Sequence, residues 1–187
     1  RKRFLIKINY IKMDYIKKVE EFHKTFNAPI LLKPQIPSKD RCDLRVTLLQ
    51  EELDELKEAI KNNDLVEIAD ACGDIMVILS GTILEFGLKD IFNDVFENIH
   101  NSNMSKACNS EQEAIETVKF YNDKDGTIAH YVNDGDKWLV YRTEDNKVLK
   151  NINYIAADLA PIIKGVDTFN MYFNQWIIIL KINLDLN

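Results

Sequence analysis

Residues 51–84 read EELDELKEAIKNNDLVEIADACGDIMVILSGTIL, and this stretch decides how the chain folds. Leu49, Leu53, Leu56 and Ile60 recur at helical spacing, which lays one apolar face along a helix over 41–61. Asn62–Asn63–Asp64 interrupts the pattern. Asp64 can cap a second helix running to about Phe86, and Gly87 fits its C-terminal stop. That second helix is apolar or small nearly all the way round, the composition of a buried helix. Two helices joined by so short a turn run antiparallel.

Both helices carry carboxylates in a pattern. On the first, Glu51, Glu52, Glu55 and Glu58 cluster, with Glu52 and Glu55 on one flank and Glu51 beside them. Taken alone, such a cluster is the usual solvated face of an amphipathic helix. On the second, Glu67, Asp70 and Asp74 form a stripe roughly 60° wide, set into an otherwise apolar helix. Carboxylates gathered in a low-dielectric core must protonate, meet cations or bind metal. No Lys or Arg stands one turn away within that helix. A water-facing stripe, or arginine partners from elsewhere in the chain, would also accommodate it. If the Glu52/Glu55 flank faces the Glu67/Asp70 stripe, four carboxylates make an all-oxygen site. Mg²⁺ or Mn²⁺ prefers such a site, whereas the lack of nearby His and Cys argues against Zn²⁺.

Working outward, residues 14–26 place Ile16, Val19, Phe22, His23 and Phe26 at helical spacing, and a loop with Pro29, Pro34 and Pro37 follows. A fourth helix over about 89–101 is expected to turn Ile91, Phe92, Val95, Phe96 and Ile99 inward. Beyond Lys106 the period changes. Thr117–Tyr121, Thr127–Asn133 and Lys137–Arg142 are β-prone runs, punctuated by Asp125–Gly126, Asp134–Gly135 and Glu144–Asn146, which reads as a meander of hairpins. Residues 154–164 return as a short helix or an extended arm. The fold class is therefore mainly α, a four-helix-bundle-type core with a small β-meander insertion at about 115–148. Residues 1–12 and 166–187 share a bias toward Ile, Asn and Leu; both read as peripheral extensions of a domain over 13–165, with Met13 as the natural start.

The chain has 187 residues with 46% hydrophobic and 29% charged side chains, enough to build a core. Lys plus Arg number 24 against 30 Asp plus Glu, a net charge of −6, which argues against polymeric nucleic acid or an anionic membrane surface as partner. Cys42, Cys72 and Cys108 form no CxxC pair and fit a reducing compartment. No run approaches the ~20 apolar residues of a spanning helix, so the expected location is cytoplasmic. His23, His100 and His130 share no spacing that suggests a metal site or a triad.

EELDE followed by EIAD (Glu67–Asp70) resembles the EExxE…ExxD signature of the all-α nucleoside triphosphate pyrophosphohydrolases, the MazG-like superfamily, which includes dimeric dUTPases and phosphoribosyl-ATP pyrophosphatase. SNMSK (Ser102–Lys106) resembles a segment typical of the phosphoribosyl-ATP pyrophosphatase-like members, and KVLKNINYIAADLAPII (Lys147–Ile163) resembles the arm that closes those domains. Asn146 stands where Gly is common. The resemblance covers about residues 13–165. It implies that Glu52, Glu55, Glu67 and Asp70 hold Mg²⁺, with Mn²⁺ as a substitute, and that the ion neutralises a triphosphate and acidifies a water. The α–β phosphate bond would then break, giving a nucleoside monophosphate and pyrophosphate. Glu51 and Glu52 carry the catalytic roles in this reading, Glu51 orienting or deprotonating the water. Asp74 can support the metal shell, and Asn103, Lys106 and Lys150 suit phosphate or sugar contact. Phosphoribosyl-ATP hydrolysis is the alternative reaction, and a non-catalytic nucleotide-binding helical module is the alternative class. The superfamily commonly pairs subunits, so a homodimer or a dimer of dimers is expected, the apolar Ile75–Leu84 segment needing cover on every side.

Overall fold

The structure is a computed structural model, and it describes residues 14–165. The expectations for residues 1–12 and 166–187, and for Met13, lie outside the described residues. Two compact units divide the chain between Asp90 and Ile91.

The first unit is a helical hairpin with a third helix against it. α1 (Tyr15–Thr25) starts where the Asp14 side chain accepts from the Lys17 N–H at 3.1 Å, and it buries Val19 and His23. α2 (Lys39–Asn62) ends at Asn63, whose φ of 54° lies in the left-handed region that Asn tolerates. Asp64 follows at once as the N-cap of α3 (Leu65–Glu85), its side chain accepting from the Val66 and Glu67 N–H groups. The hairpin turn is therefore as short as the sequence predicts, and α1 and α2 both pack on α3.

The loop between α1 and α2 ties down the end of α3. Leu31 N–H donates to the Leu84 carbonyl at 3.0 Å and Gln35 N–H to the Phe86 carbonyl at 3.2 Å, which satisfies orphan carbonyls of the helix C-terminus. The loop passes so close that a Cβ on Gly87, itself at φ 67°, would lie 1.9 Å from the Lys33 carbonyl oxygen. Only glycine fits there.

Buried ionic contacts fix α2 against the same end of α3. Glu85 accepts from Arg41 Nε at 2.9 Å and from Arg45 Nη1 at 3.4 Å, while Arg45 also reaches Thr82 Oγ1 and the Ile78 carbonyl. Burial pushes the Arg45 guanidinium below its ordinary value, against the charge of Glu85, which raises it. Gly81 makes room for this group, since a Cβ there would lie 2.6 Å from Arg45 Nη2 and 2.9 Å from His23 Nε2. The expectation that α3 is buried along its length is corrected by the structure. Ser80, Gly81, Ile83, Leu84 and Glu85 are buried, but Leu65, Val66, Met76, Val77 and Leu79 are exposed. α1 and α2 bury α3 chiefly over Ser80–Glu85 and leave most of its other apolar side chains in solvent.

The second unit opens with α4 (Phe92–Met104), preceded by a 3₁₀ turn at Lys89–Ile91. Of the residues expected to point inward from it, Val95 is buried while Phe96 and Ile99 are exposed. A further correction concerns Thr117–Tyr121, which is not a strand but the middle of α5 (Glu111–Asp125). Its start is set by Ser110, whose hydroxyl accepts from Glu113 N–H at 3.2 Å, with Glu113 accepting in turn from Asn109 N–H at 2.7 Å. This reciprocal Ser-x-x-Glu cap outweighs the β-branched residues that follow it. The sheet is one antiparallel hairpin, β1 (Ala129–Asp134) and β2 (Lys137–Arg142), with Asp134 paired to Lys137 around Gly135. Cys108, Ala114, Val140 and Leu149 form the core under it. Asn146 takes the φ of 55° that glycine adopts readily.

Among the described residues no single helix is long and apolar enough to cross a membrane. Cys42, Cys72 and Cys108 are unpaired.

Candidate functional site

The helical hairpin brings part of the predicted carboxylate set together. Glu52 on α2 has one carboxylate oxygen, Oε2, fully shielded from solvent and without a hydrogen-bond partner. Desolvation is the first cause that pushes its carboxyl above the ordinary glutamate value, followed by the charges of Asp74, Glu55, Glu51 and Asp70. Two residues of α2 and two of α3 thus bear on one side chain, and no cation does. Buried ionised groups are ordinarily paired, so this arrangement is costly.

Glu67 is not among those charges. It sits exposed in the first turn of α3, where a carboxylate interacts favourably with the helix dipole. Asp74, one turn further along, heads the charges acting on Glu52 instead. In the arrangement seen, no three Asp, Glu, His or Cys side chains among the described residues stand close enough to hold one metal ion. Glu51, Glu55, Asp70 and Asp74 are all exposed. The donor set, all oxygen and with one orphaned buried acceptor, fits a hard divalent cation.

The sign of the Glu52 shift makes a testable claim. Its value is higher folded than unfolded, so the native state holds the proton more tightly. Stability falls as pH rises from near 4.5 through the folded value, and the whole cost stands above it. Glu52→Gln is expected to raise the melting temperature by about 2–5 °C at pH 8, with the gain vanishing near pH 4. A lower melting temperature at pH 8 would contradict the geometry.

The other three predicted residues gather in the second unit. Lys106 Nζ donates to Asn103 Oδ1 at 2.8 Å, and Lys150 Nζ lies 4.2 Å from the centre of the Tyr154 ring. Tyr154 hydroxyl is 2.8 Å from Ser102 Oγ. That hydrogen bond first, and then the charges of Lys150 and Lys106, hold the phenol below its ordinary value. The closing arm is what brings Lys150 there. Asn151 Nδ2 donates to the Ser105 and Ala107 carbonyls at 3.0 and 2.7 Å, and Ile155 N–H donates to Ser105 Oγ at 3.1 Å. Two lysines and a tyrosine on one short arc can bind an anion. Tyr154 was missed by sequence reasoning, although its place in the closing arm was visible. His23 is buried with Nδ1–H donating to the Pro29 carbonyl, and exposed His130 stacks on Tyr141. Neither joins these groups.

The helical hairpin carries the carboxylate signature that resembles that of the MazG-like nucleoside triphosphate pyrophosphohydrolase superfamily. Within it, residues 19–103 match the phosphoribosyl-ATP pyrophosphohydrolase family model, and this stretch is a domain of that family. The match runs from α1 to the end of α4. A relative in Acanthamoeba polyphaga mimivirus, an uncharacterized protein, is 24% identical over 78% of this chain and 94% of its own length. The family supports a pyrophosphohydrolase-type function on nucleotides.

Proposed function

We propose that the chain is a Mg²⁺-dependent pyrophosphohydrolase that cleaves the α–β phosphate bond of (deoxy)nucleoside triphosphates, releasing a nucleoside monophosphate and pyrophosphate, in nucleotide-pool housekeeping. The observation that carries this reading is the orphaned Glu52 carboxylate among Asp74, Glu55, Glu51 and Asp70 with no counter-charge. A site meant only to hold α2 against α3 gains nothing from that repulsion, whereas the Arg41–Glu85–Arg45 contacts do hold them. Glu52, Glu55 and Asp70, with Asp74, would hold the cation; Glu67, the motif's other ligand, is exposed in the first turn of α3 and is not among the leading charges on Glu52. When bound, Mg²⁺ supplies charge neutralisation to the triphosphate and lowers the pKa of a bound water. Glu51, exposed beside Glu52, would orient an attacking water and accept its proton. Within the second unit, Asn103, Lys106 and Lys150 would supply contacts to an anion such as phosphate.

The test is pyrophosphate release from a panel of dNTPs, NTPs and phosphoribosyl-ATP with Mg²⁺. Turnover of dNTPs or NTPs supports the reading, and silence across the panel refutes it. Turnover of phosphoribosyl-ATP alone would select the second reading, which the family match favours. The exposed Leu65 and Leu79 of α3 and Leu49, Leu53 and Ile60 of α2 support a homodimer or a dimer of dimers, since apolar faces of this extent mark association surfaces. Sedimentation as a monomer at micromolar concentration would refute the assembly.

A further inference from the structure

The two edges of the β1–β2 hairpin are used differently. The outer edge of β2 is filled. Trp138 and Cys108 exchange N–H···O bonds at 2.8 and 3.0 Å, Leu149 N–H donates to the Val140 carbonyl at 2.9 Å, and Arg142 N–H donates to the Lys147 carbonyl at 2.9 Å. The backbone groups of Trp138, Val140 and Arg142 therefore point away from β1. Their cross-strand partners Asn133, Tyr131 and Ala129 must then turn their own N–H and C=O groups away from β2. Among the described residues no group bonds to that outward row.

β1 also lacks the devices that ordinarily blunt a bare edge. It contains no Pro and no Lys, and its register runs unbroken from Ala129 to Asp134 without a bulge. Ala129 and Tyr131 face the core under α5, with the Tyr131 ring against Trp138. His130, Val132 and Asp134 alternate onto the opposite face and are exposed, Val132 to 43% at the middle of the strand.

The strand is complementary to itself. When β1 is laid antiparallel to a second β1 about a two-fold axis at Val132, Tyr131 and Asn133 exchange main-chain bonds with Asn133 and Tyr131 of the second copy. Val132 then meets Val132, and His130 lies opposite Asp134 on both sides of the axis. These are the non-hydrogen-bonded pairs, in which side chains approach most closely. Sliding the strands by one step either way sets Val132 against His130 or against Asp134 and loses the match. Growth also stops there, because the outer edge of β2 is already filled and the pairing closes on itself.

We propose that β1 is a docking edge for a second copy of this chain, the two hairpins joining through Tyr131 and Asn133 into one continuous antiparallel sheet. The contact is separate from the apolar faces of α2 and α3 and does not depend on the reaction proposed above.

Amide hydrogen exchange on the full chain, read residue by residue, tests it, since association through any other surface leaves the Tyr131 and Asn133 N–H groups uncovered. Both are expected to exchange at least about tenfold more slowly at ~200 µM than at ~2 µM protein. Val132→Lys, which sets two ammonium groups against each other on the axis, is expected to abolish that dependence with the melting temperature unchanged. His130→Asp should weaken it, and adding Asp134→Lys to His130→Asp should restore it. Asn133→Pro removes only an outward N–H and keeps every main-chain bond of the hairpin, so it decides the matter if Val132→Lys loses stability. Slow exchange at both concentrations that Val132→Lys abolishes, while halving the sedimenting mass, supports the same pairing with higher affinity. Fast exchange at both concentrations would overturn the proposal. Protection that survives in Val132→Lys and Asn133→Pro would also overturn it, because another segment would then occupy the edge.

Discussion

Asp70→Asn, Asp74→Asn and Glu55→Gln are each expected to lower pyrophosphate release at least about 10³-fold with saturating Mg²⁺, while circular dichroism and melting temperature remain at or above wild type. The reasoning is electrostatic. Each substitution removes one negative charge from a set whose members already repel, so the fold does not suffer. Each also removes an oxygen ligand from a site whose function would be to concentrate charge on a cation. Glu67→Gln provides the internal control. Glu67 is exposed in the first turn of α3 and is not among the leading charges on Glu52, so its loss should cost under about tenfold. A 10³-fold loss in Glu67→Gln with an active Asp74→Asn would restore the ligand set that the motif implies and remove Asp74 from it. Unchanged activity in Asp70→Asn and Glu55→Gln would end the assignment altogether.

Glu85→Ala is expected to destabilise the first unit by about 3–5 kcal/mol, and Glu85→Gln by somewhat less. The side chains of Glu85 and Arg45 are 1% and 8% exposed, so removing the carboxylate strands a guanidinium where water cannot replace it. Arg45 keeps its contacts to Thr82 Oγ1 and the Ile78 carbonyl, and these are neutral acceptors. Arg41, a third exposed, turns to solvent at lower cost. For a unit of this size the loss lowers the melting temperature by more than about 10 °C, readable by calorimetry. A drop below about 1 kcal/mol would show that Arg45 is solvated in the native state and that the contacts do not fix α2 on α3. Because they lie at the opposite end of α3 from Glu67, they set the helix register while leaving the carboxylates to the site.

The helical hairpin could be read from the sequence because its signals are local. Leu49, Leu53, Leu56 and Ile60 give the period of α2, Asn63 accepts the left-handed turn, and Asp64 caps the next helix within two residues. The β turn at Asp134–Gly135 was legible for the same reason. Thr117–Tyr121 forms helix although β-branched and aromatic residues favour strands on average, because a cap four to seven residues before Thr117 decides otherwise. The exposure of Phe96 and of half of α3 could not be inferred from composition, since an apolar helix does not state how many neighbours it has.

By itself the sequence determined which residue types share a helix face, and so which carboxylates were candidates. Periodicity fixes angles about one helix axis and nothing about the distance to another. Only the packing of α2 on α3 decided that Asp74 leads the charges bearing on Glu52. And only the closing arm, held by Asn151 and Ser105, brought Lys150 and Tyr154 to Lys106 across more than forty residues of chain.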